Sequence, residues 1–218
     1  DYRRWYNEPG IVGVVRYPDT HRWGEAEPRS AAEALQGLED VIRYEGPHTI
    51  AAIFLEPVVG TNGILIPPDG YIQGVRELCD RHGILMVDDE VMAGFGRTGK
   101  MFAIEHWGVV PDLMTMAKGL TSSYLPLGAV AMSHALSEKF DSMVYSGGLT
   151  YGAHPVSCAA AVARSCSGSV RTRLISQVMR SRDPTRPSSY LATRSSHEPC
   201  TYSYMMVSET SVSATVPS

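Results

Sequence analysis

Two short apolar runs in the middle of the chain each end in a charged residue. Residues 84–87 are continuously apolar between Gly83 and Asp88, which is typical of a strand that is buried on both faces of a sheet. A second apolar run, residues 113–117, ends at Lys118. We expect both runs to be strands of one sheet, so that acidic groups and a lysine follow at their carboxyl ends.

Helical patterns accompany these strands. Ser30 and Glu33 have the spacing of a capping box, and the apolar side chains that follow fall on one face of a helix. A second helix is predicted over residues 69–83, between a strand at 49–55 and the run at 84–87. The order strand, helix, strand predicts a crossover connection between parallel strands.

The same reasoning extends to both ends of the chain. Further strands are predicted at residues 10–17 and 127–132, and further helices at 133–140 and 154–163. This alternation indicates an α/β fold with a mostly parallel sheet.

The character of the sequence changes after residue 163. Serine, threonine, proline and arginine dominate residues 164–218, and no apolar period of a helix or strand persists there. Such a segment buries too little apolar surface to offset the entropy lost on ordering. We therefore expect residues 1–163 to form one incomplete domain. Residues 164–218 are expected to be a low-complexity tail, either naturally disordered or encoded out of frame.

Composition narrows the classes of function. The 218 residues have a formal net charge of -4, which argues against a broad nucleic-acid surface. No apolar run is long enough to cross a bilayer and no signal peptide is recognisable, so we expect a cytoplasmic protein without a membrane partner. The four cysteines form no C-x-x-C pair, so neither a disulfide framework nor a metal site is predicted. The chain begins at Asp1, which suggests a fragment of a longer protein.

An acidic group and a lysine at neighbouring strand ends suit one cofactor in particular. Ligands of open α/β sheets bind outside the carboxyl ends of the strands. Pyridoxal phosphate (PLP) takes a lysine as its Schiff-base partner and an aspartate as the counter-ion of its pyridinium nitrogen. Lys118 must lose its proton before it can attack a carbonyl, and a partly desolvated strand end favours that loss. The alternative is an ordinary surface lysine.

Several motifs, taken in order and spacing, resemble the class III aminotransferases, the ω-aminotransferase branch of the fold-type I PLP enzymes. These motifs are Asp89-Glu90-Val91, Gly94-Phe95-Gly96-Arg97-Thr98-Gly99, Val110-Pro111-Asp112-Leu113 and Ala117-Lys118-Gly119-Leu120. The resemblance covers roughly residues 1–163, and the sequences of the motifs are most similar to those of taurine–pyruvate and β-alanine–pyruvate aminotransferases. The resemblance implies that these residues form part of the large, PLP-binding domain of that fold, and that this domain is incomplete in the chain.

The resemblance also implies roles for individual residues. Lys118 would be the catalytic Schiff-base lysine, Asp89 would bind the ring nitrogen and Val91 would pack against the ring face. Glu56 would lie near the cofactor, the alternative being a carboxylate that orients its own loop. Thr150 would reach across a dimer interface to the phosphate of the partner's cofactor, the alternative being a plain turn residue.

The function implied is transfer of an amino group from an ω-amino donor to a keto acid such as pyruvate, by a homodimer. Thr61 stands where glutamate-using members commonly have an acidic residue, which disfavours ornithine or γ-aminobutyrate as substrate. Met92 stands where many members have glutamine near the cofactor. Decarboxylases and aminomutases of the same fold use the same lysine and aspartate and remain open, as does a catalytically inactive truncated fragment.

Overall fold

The computed structural model describes residues 13–21, 27–143, 150, 152–167 and 202–207. Within these residues a five-stranded sheet carries helices between its strands, and the strand order follows the chain from β1 to β5. The strands are β1 (Ala52–Leu55), β2 (Leu85–Asp89), β3 (Leu113–Met116), β4 (Gly128–Ser133) and β5 (Tyr202–Val207). The α-helices are α1 (Ala31–Glu45), α2 (Tyr71–His82), α3 (His134–Ser137) and α4 (Pro155–Ser167). Short 3₁₀ helices cover Pro47–Thr49, Ala103–His106, Lys118–Thr121 and Glu138–Phe140.

The sheet is mostly parallel, as the sequence predicts. β1 pairs with β2 and β2 with β3 in parallel, whereas β4 runs antiparallel to β3 and β5 antiparallel to β4. Four of the five described strands therefore point in the same direction. Because α2 connects β1 to β2, the predicted crossover is present and the α/β fold class is confirmed.

α1 begins as predicted and packs against α2. The Ser30 hydroxyl accepts a hydrogen bond from the Glu33 amide at 3.2 Å, and the Glu33 carboxylate accepts one from the Ser30 amide at 3.0 Å. A Cβ at Gly74 of α2 would overlap the Leu35 side chain of α1, so glycine allows the two helices to approach closely. Their buried faces cover one side of the sheet through Ala34, Leu38, Ile42, Ile72, Val75, Leu78 and Cys79.

The strand predicted at residues 10–17 is wrong where it can be assessed. Residues 13–17 have no regular structure, and Val14 and Val15 are each 54% exposed; residues 10–12 lie outside the described residues. A β-branched run becomes a strand only when a neighbouring strand completes its hydrogen bonds. Here the contact with β1 is a side-chain bond, in which the Tyr17 hydroxyl donates to the Phe54 carbonyl at 3.0 Å.

Two elements lie in or reach the segment that the sequence assigns to a tail. α4 continues to Ser167, and residues 202–207 form β5 beside β4. The division of the chain at residue 163 stays a prediction. No helix in the described part of the chain combines the length and apolarity needed to cross a bilayer.

Candidate active site

The carboxyl ends of β2 and β3 lie side by side. Asp89, the last residue of β2, is the register partner of Thr115 in β3. The Glu90 amide then donates to the Thr115 carbonyl at 2.9 Å, which extends the pairing one residue past β2. Since neighbouring strands are about 4.8 Å apart, Asp89 and the turn that begins at Lys118 share one edge of the sheet.

Asp89 and its neighbour Asp88 point to opposite faces, as alternation along a strand requires. Asp89 is partly exposed, and its Oδ1 accepts a hydrogen bond from the Val91 amide at 2.9 Å. That bond fixes both the carboxylate and the half-buried Val91 side chain at the end of β2. Asp88 is fully buried in the core and is not available to a ligand at this edge.

Lys118 has an unusual backbone. Its φ is +42°, in the left-handed region that non-glycine residues seldom adopt, and such strain is concentrated at functional sites. The Ser123 amide donates to the Lys118 carbonyl at 2.9 Å and so holds this conformation from within the following turn. The side chain is exposed, and its ammonium makes no hydrogen bond or ion pair with any described residue. Lys118 thus presents an unpaired amine from a rigid backbone position.

Glycines allow the loops after three strands to pack on one another. A Cβ at Gly119 would lie 2.8 Å from the Phe95 Cβ, and a Cβ at Gly60 would lie 2.7 Å from the Met92 Cγ. Both separations are too short for real side-chain contacts, so any larger residue would push the loops apart. Gly60 and Gly119 were not predicted as site residues. The signal in the sequence was their position close to the strand-end motifs, since a glycine there permits close backbone approach.

The remaining predicted residues occupy different places. Glu56 follows β1, and its Oε2 accepts a hydrogen bond from the Gly60 amide at 2.9 Å, so in this structure the carboxylate orients its own loop. Glu56 also lines a groove of about 1090 Å³ along the outer edge of β1, away from the ends of β2 and β3. Thr150 is exposed and lies between residues outside the described part of the chain. Its predicted role concerns a second subunit and stays a prediction.

Two further acids are buried beside Asp89. Asp88 and Glu90 are each 0% exposed. Burial raises the pKa of Asp88 to about 9, with smaller contributions from Glu90 and Asp89. Burial also raises the pKa of Glu90, although hydrogen bonds from backbone amides, including that of Ile104 at 2.8 Å, oppose the shift. Asp88 is consequently neutral at physiological pH, and Asp89 is the partly exposed member of the three.

A buried hydroxyl completes the site. The Oγ1 atom of Thr115 is inaccessible to solvent and has no hydrogen-bond partner in the described part of the chain. As the register partner of Asp89, Thr115 faces the same side of the sheet. Among the described residues no cluster of three or more histidine, cysteine or acidic side chains is arranged to hold a metal ion. The polar side-chain groups at this edge include a carboxylate, an amine and a hydroxyl.

Fold and site together give an α/β sheet with an aspartate and a lysine on neighbouring strand ends, at the edge where ligands of open α/β sheets generally bind. The family profile of the class-III aminotransferases matches residues 5–177. The chain belongs to the class-III aminotransferase family, a family of PLP-dependent enzymes, and the resemblance seen in its motifs is confirmed.

Individual relatives agree with this assignment. An omega-aminotransferase from Caulobacter vibrioides is 41% identical over 173 residues, which are 73% of this chain and 39% of that protein. An (S)-enantioselective omega-transaminase from Thermomicrobium roseum superposes with a TM-score of 0.68 at 38% identity, over 73% of this chain and 38% of that one. The taurine:2-oxoglutarate aminotransferase of Bifidobacterium kashiwanohense, solved with PLP and glutamate, is 53% identical and superposes with a TM-score of 0.60. The match covers 61% of this chain and 30% of that one. The chain thus spans under two fifths of the length of these relatives.

Proposed function

We propose that this chain is the cofactor-binding part of a transaminase that uses PLP to move an amino group from an amine to a keto acid. The observation that carries the proposal is the parallel pairing of β2 with β3, because Asp89 ends one of these neighbouring strands and the turn that begins at Lys118 follows the other. When bound, PLP supplies an electron-accepting ring that weakens the Cα–H bond of the amine.

The residues at this edge fit that cofactor. Asp89 has one carboxylate oxygen committed to the Val91 amide, and the other can accept a hydrogen bond from a protonated ring nitrogen. A carboxylate in contact with that nitrogen favours its charged form. Val91 follows directly and offers a half-buried apolar surface for one face of a ring. Thr115 adds a buried hydroxyl that lacks a partner in the described chain, as a site built around a polar ligand would have.

Lys118 performs the proton chemistry. Its amine would hold the cofactor. Nζ of Lys118 would also act as the general base that takes the proton from the donor's Cα. The left-handed backbone conformation of Lys118, held by the Ser123 amide, fixes the point on the sheet edge from which this side chain extends.

The proposed substrates are an ω-amino donor and a keto acid such as pyruvate. Exposed Thr61 supports this choice, because it stands where glutamate-using members of the family commonly have an acidic residue. The absence of that residue disfavours ornithine or γ-aminobutyrate as the donor. The similarity to a taurine:2-oxoglutarate aminotransferase supports a taurine-like donor and makes 2-oxoglutarate the acceptor to compare with pyruvate. The proposed assembly is a homodimer in which Thr150 serves the partner's cofactor.

A second candidate is an inactive fragment. The chain covers 39% or less of the length of the relatives described above, so most of each relative lies outside the matched region. Such a fragment would retain Lys118 without binding PLP firmly.

Cofactor binding separates these two candidates. The purified chain is mixed with PLP, reduced with borohydride and mapped by peptide mass spectrometry, with Lys118→Ala and Lys100→Ala compared in parallel. The proposal predicts a label on Lys118 that only the Lys118→Ala variant loses. Absence of a label at saturating PLP favours the inactive fragment, and a label on other lysines alone would refute the assignment of Lys118. Taurine and β-alanine are then tested as donors to pyruvate and to 2-oxoglutarate.

A further inference from the structure

Thr115 is the residue of β3 that faces the same side as Asp89. The two are register partners, and the backbone of Thr115 is held in place because its carbonyl accepts the Glu90 amide at 2.9 Å. Side chains of register partners project side by side from strands about 4.8 Å apart. The Thr115 and Asp89 side chains therefore project from neighbouring strands on the same face, while Asp88 points to the opposite face.

The hydrogen bonds of this pair are incomplete. The Thr115 hydroxyl is buried and has no partner in the described part of the chain. On Asp89, Oδ1 accepts the Val91 amide, and no described group donates to the second oxygen. A buried hydroxyl without a partner is destabilising. A donor without an acceptor thus shares a face of the sheet with an acceptor that has remaining capacity.

We infer that Thr115 is a positioning residue for Asp89. When PLP is bound, the Thr115 hydroxyl rotates about its Cα–Cβ bond and donates to Asp89, which holds the carboxylate in one orientation and stabilises its charged form. The inference rests on the proposed function, because it concerns how Asp89 meets the cofactor. It extends that function by assigning a role to a residue outside the family motifs recognised in the sequence.

Two nearly isosteric variants isolate the hydroxyl. Thr115→Val removes the O–H group and keeps the branched shape, whereas Thr115→Ser keeps the O–H group. Affinity for PLP is measured by absorbance titration of the full chain, and thermal unfolding is measured without cofactor. We expect Thr115→Val to weaken PLP binding about tenfold, as expected for losing a hydrogen bond to a charged group. Thr115→Ser should stay within about twofold of the wild-type affinity, because it retains the donor.

Stability of the cofactor-free chain distinguishes positioning from a merely structural role. Thr115→Val should not lower the unfolding temperature, because it removes a buried polar group that has no partner. Thr121→Val is the matched control: the Thr121 hydroxyl is also buried but donates to the Leu125 carbonyl at 2.6 Å, so its loss should lower the unfolding temperature.

Each result decides the matter. Weaker PLP binding by Thr115→Val alone, with unchanged or raised stability, supports the inference. Wild-type affinity in Thr115→Val, or equal weakening in the valine and serine variants, overturns it while leaving the proposed function intact. A wild-type chain that binds no PLP overturns the proposed function and this inference together.

Discussion

Replacement of Asp88 by asparagine should stabilise the protein at neutral pH. Asp88 is 0% exposed, and neither carboxylate oxygen has a hydrogen-bond partner in the described part of the chain. Burial, with added repulsion from Glu90 and Asp89, raises its pKa to about 9 from an ordinary value of 3.8. The folded protein must therefore keep this group protonated at a pH where the unfolded chain releases the proton.

The sign and size of the effect follow from linkage. Because the pKa is higher in the folded state, the stability associated with the neutral group is complete below pH 3.8 and is lost as the pH rises towards about 9. Each increase of one pH unit within this range lowers the free energy of unfolding by about 1.4 kcal/mol. Between pH 4 and pH 7 the loss is about 4 kcal/mol. Asparagine has a similar shape and does not titrate, so the variant lacks this slope.

Urea unfolding followed by tryptophan fluorescence at pH 5, 6, 7 and 8 tests the reasoning. The free energy of unfolding of Asp88→Asn minus that of wild type should grow by about 1.4 kcal/mol per pH unit. Glu90 is present in both chains, so its titration largely cancels in the difference. Asp69→Asn, at an exposed position, is the control and should show little slope. A flat difference for Asp88→Asn would refute the claim that burial holds this carboxyl neutral.

Two other substitutions test how the strand ends are held. Gly119→Ala should lower the free energy of unfolding by about 1–3 kcal/mol, because the new Cβ would lie 2.8 Å from Phe95; unchanged urea denaturation would contradict this. Asp112→Asn should cost about 1–3 kcal/mol, since the Asp112 carboxylate binds Arg76 at 2.7 Å and the Met86 amide at 2.8 Å. Amide hydrogen exchange should then accelerate at Met86, and unaltered protection would show that Asp112 does not hold β2 to β3.

The strands and their charged ends could be predicted because the deciding information is local. An apolar run of four residues precedes Asp88, and a run of five residues that only Thr115 interrupts precedes Lys118. These runs are enough to identify buried strands. Alternation along β2 then predicts that Asp88 and Asp89 point to opposite faces, and the resemblance of the motif selects Asp89. The capping box at Ser30 and Glu33 is local as well, and it forms as expected.

What could not be predicted depends on neighbours distant in sequence. Residues 10–17 have the composition of a strand, yet residues 13–17 form none, because propensity alone does not provide a hydrogen-bonded partner strand. The contact of Gly119 with Phe95 joins loops that follow different strands, so it depends on the register between β2 and β3. The unpaired state of the Thr115 hydroxyl likewise depends on everything that packs around it.

The three consecutive acids at the end of β2 show how one short segment produces three electrostatic environments. Asp88 faces the core, where burial raises its pKa to about 9 and removes its charge at neutral pH. Glu90 faces the same side but accepts the Ile104 amide, so its carboxylate is used to attach the following 3₁₀ helix to the strand. Asp89 alone of the three points to the opposite face and reaches solvent. A charged Asp88 would place a second negative charge next to Asp89. The neutrality of Asp88 therefore spares Asp89 a like-charged neighbour on the strand, and under the proposed function Asp89 is the acid that would meet a cationic ring nitrogen.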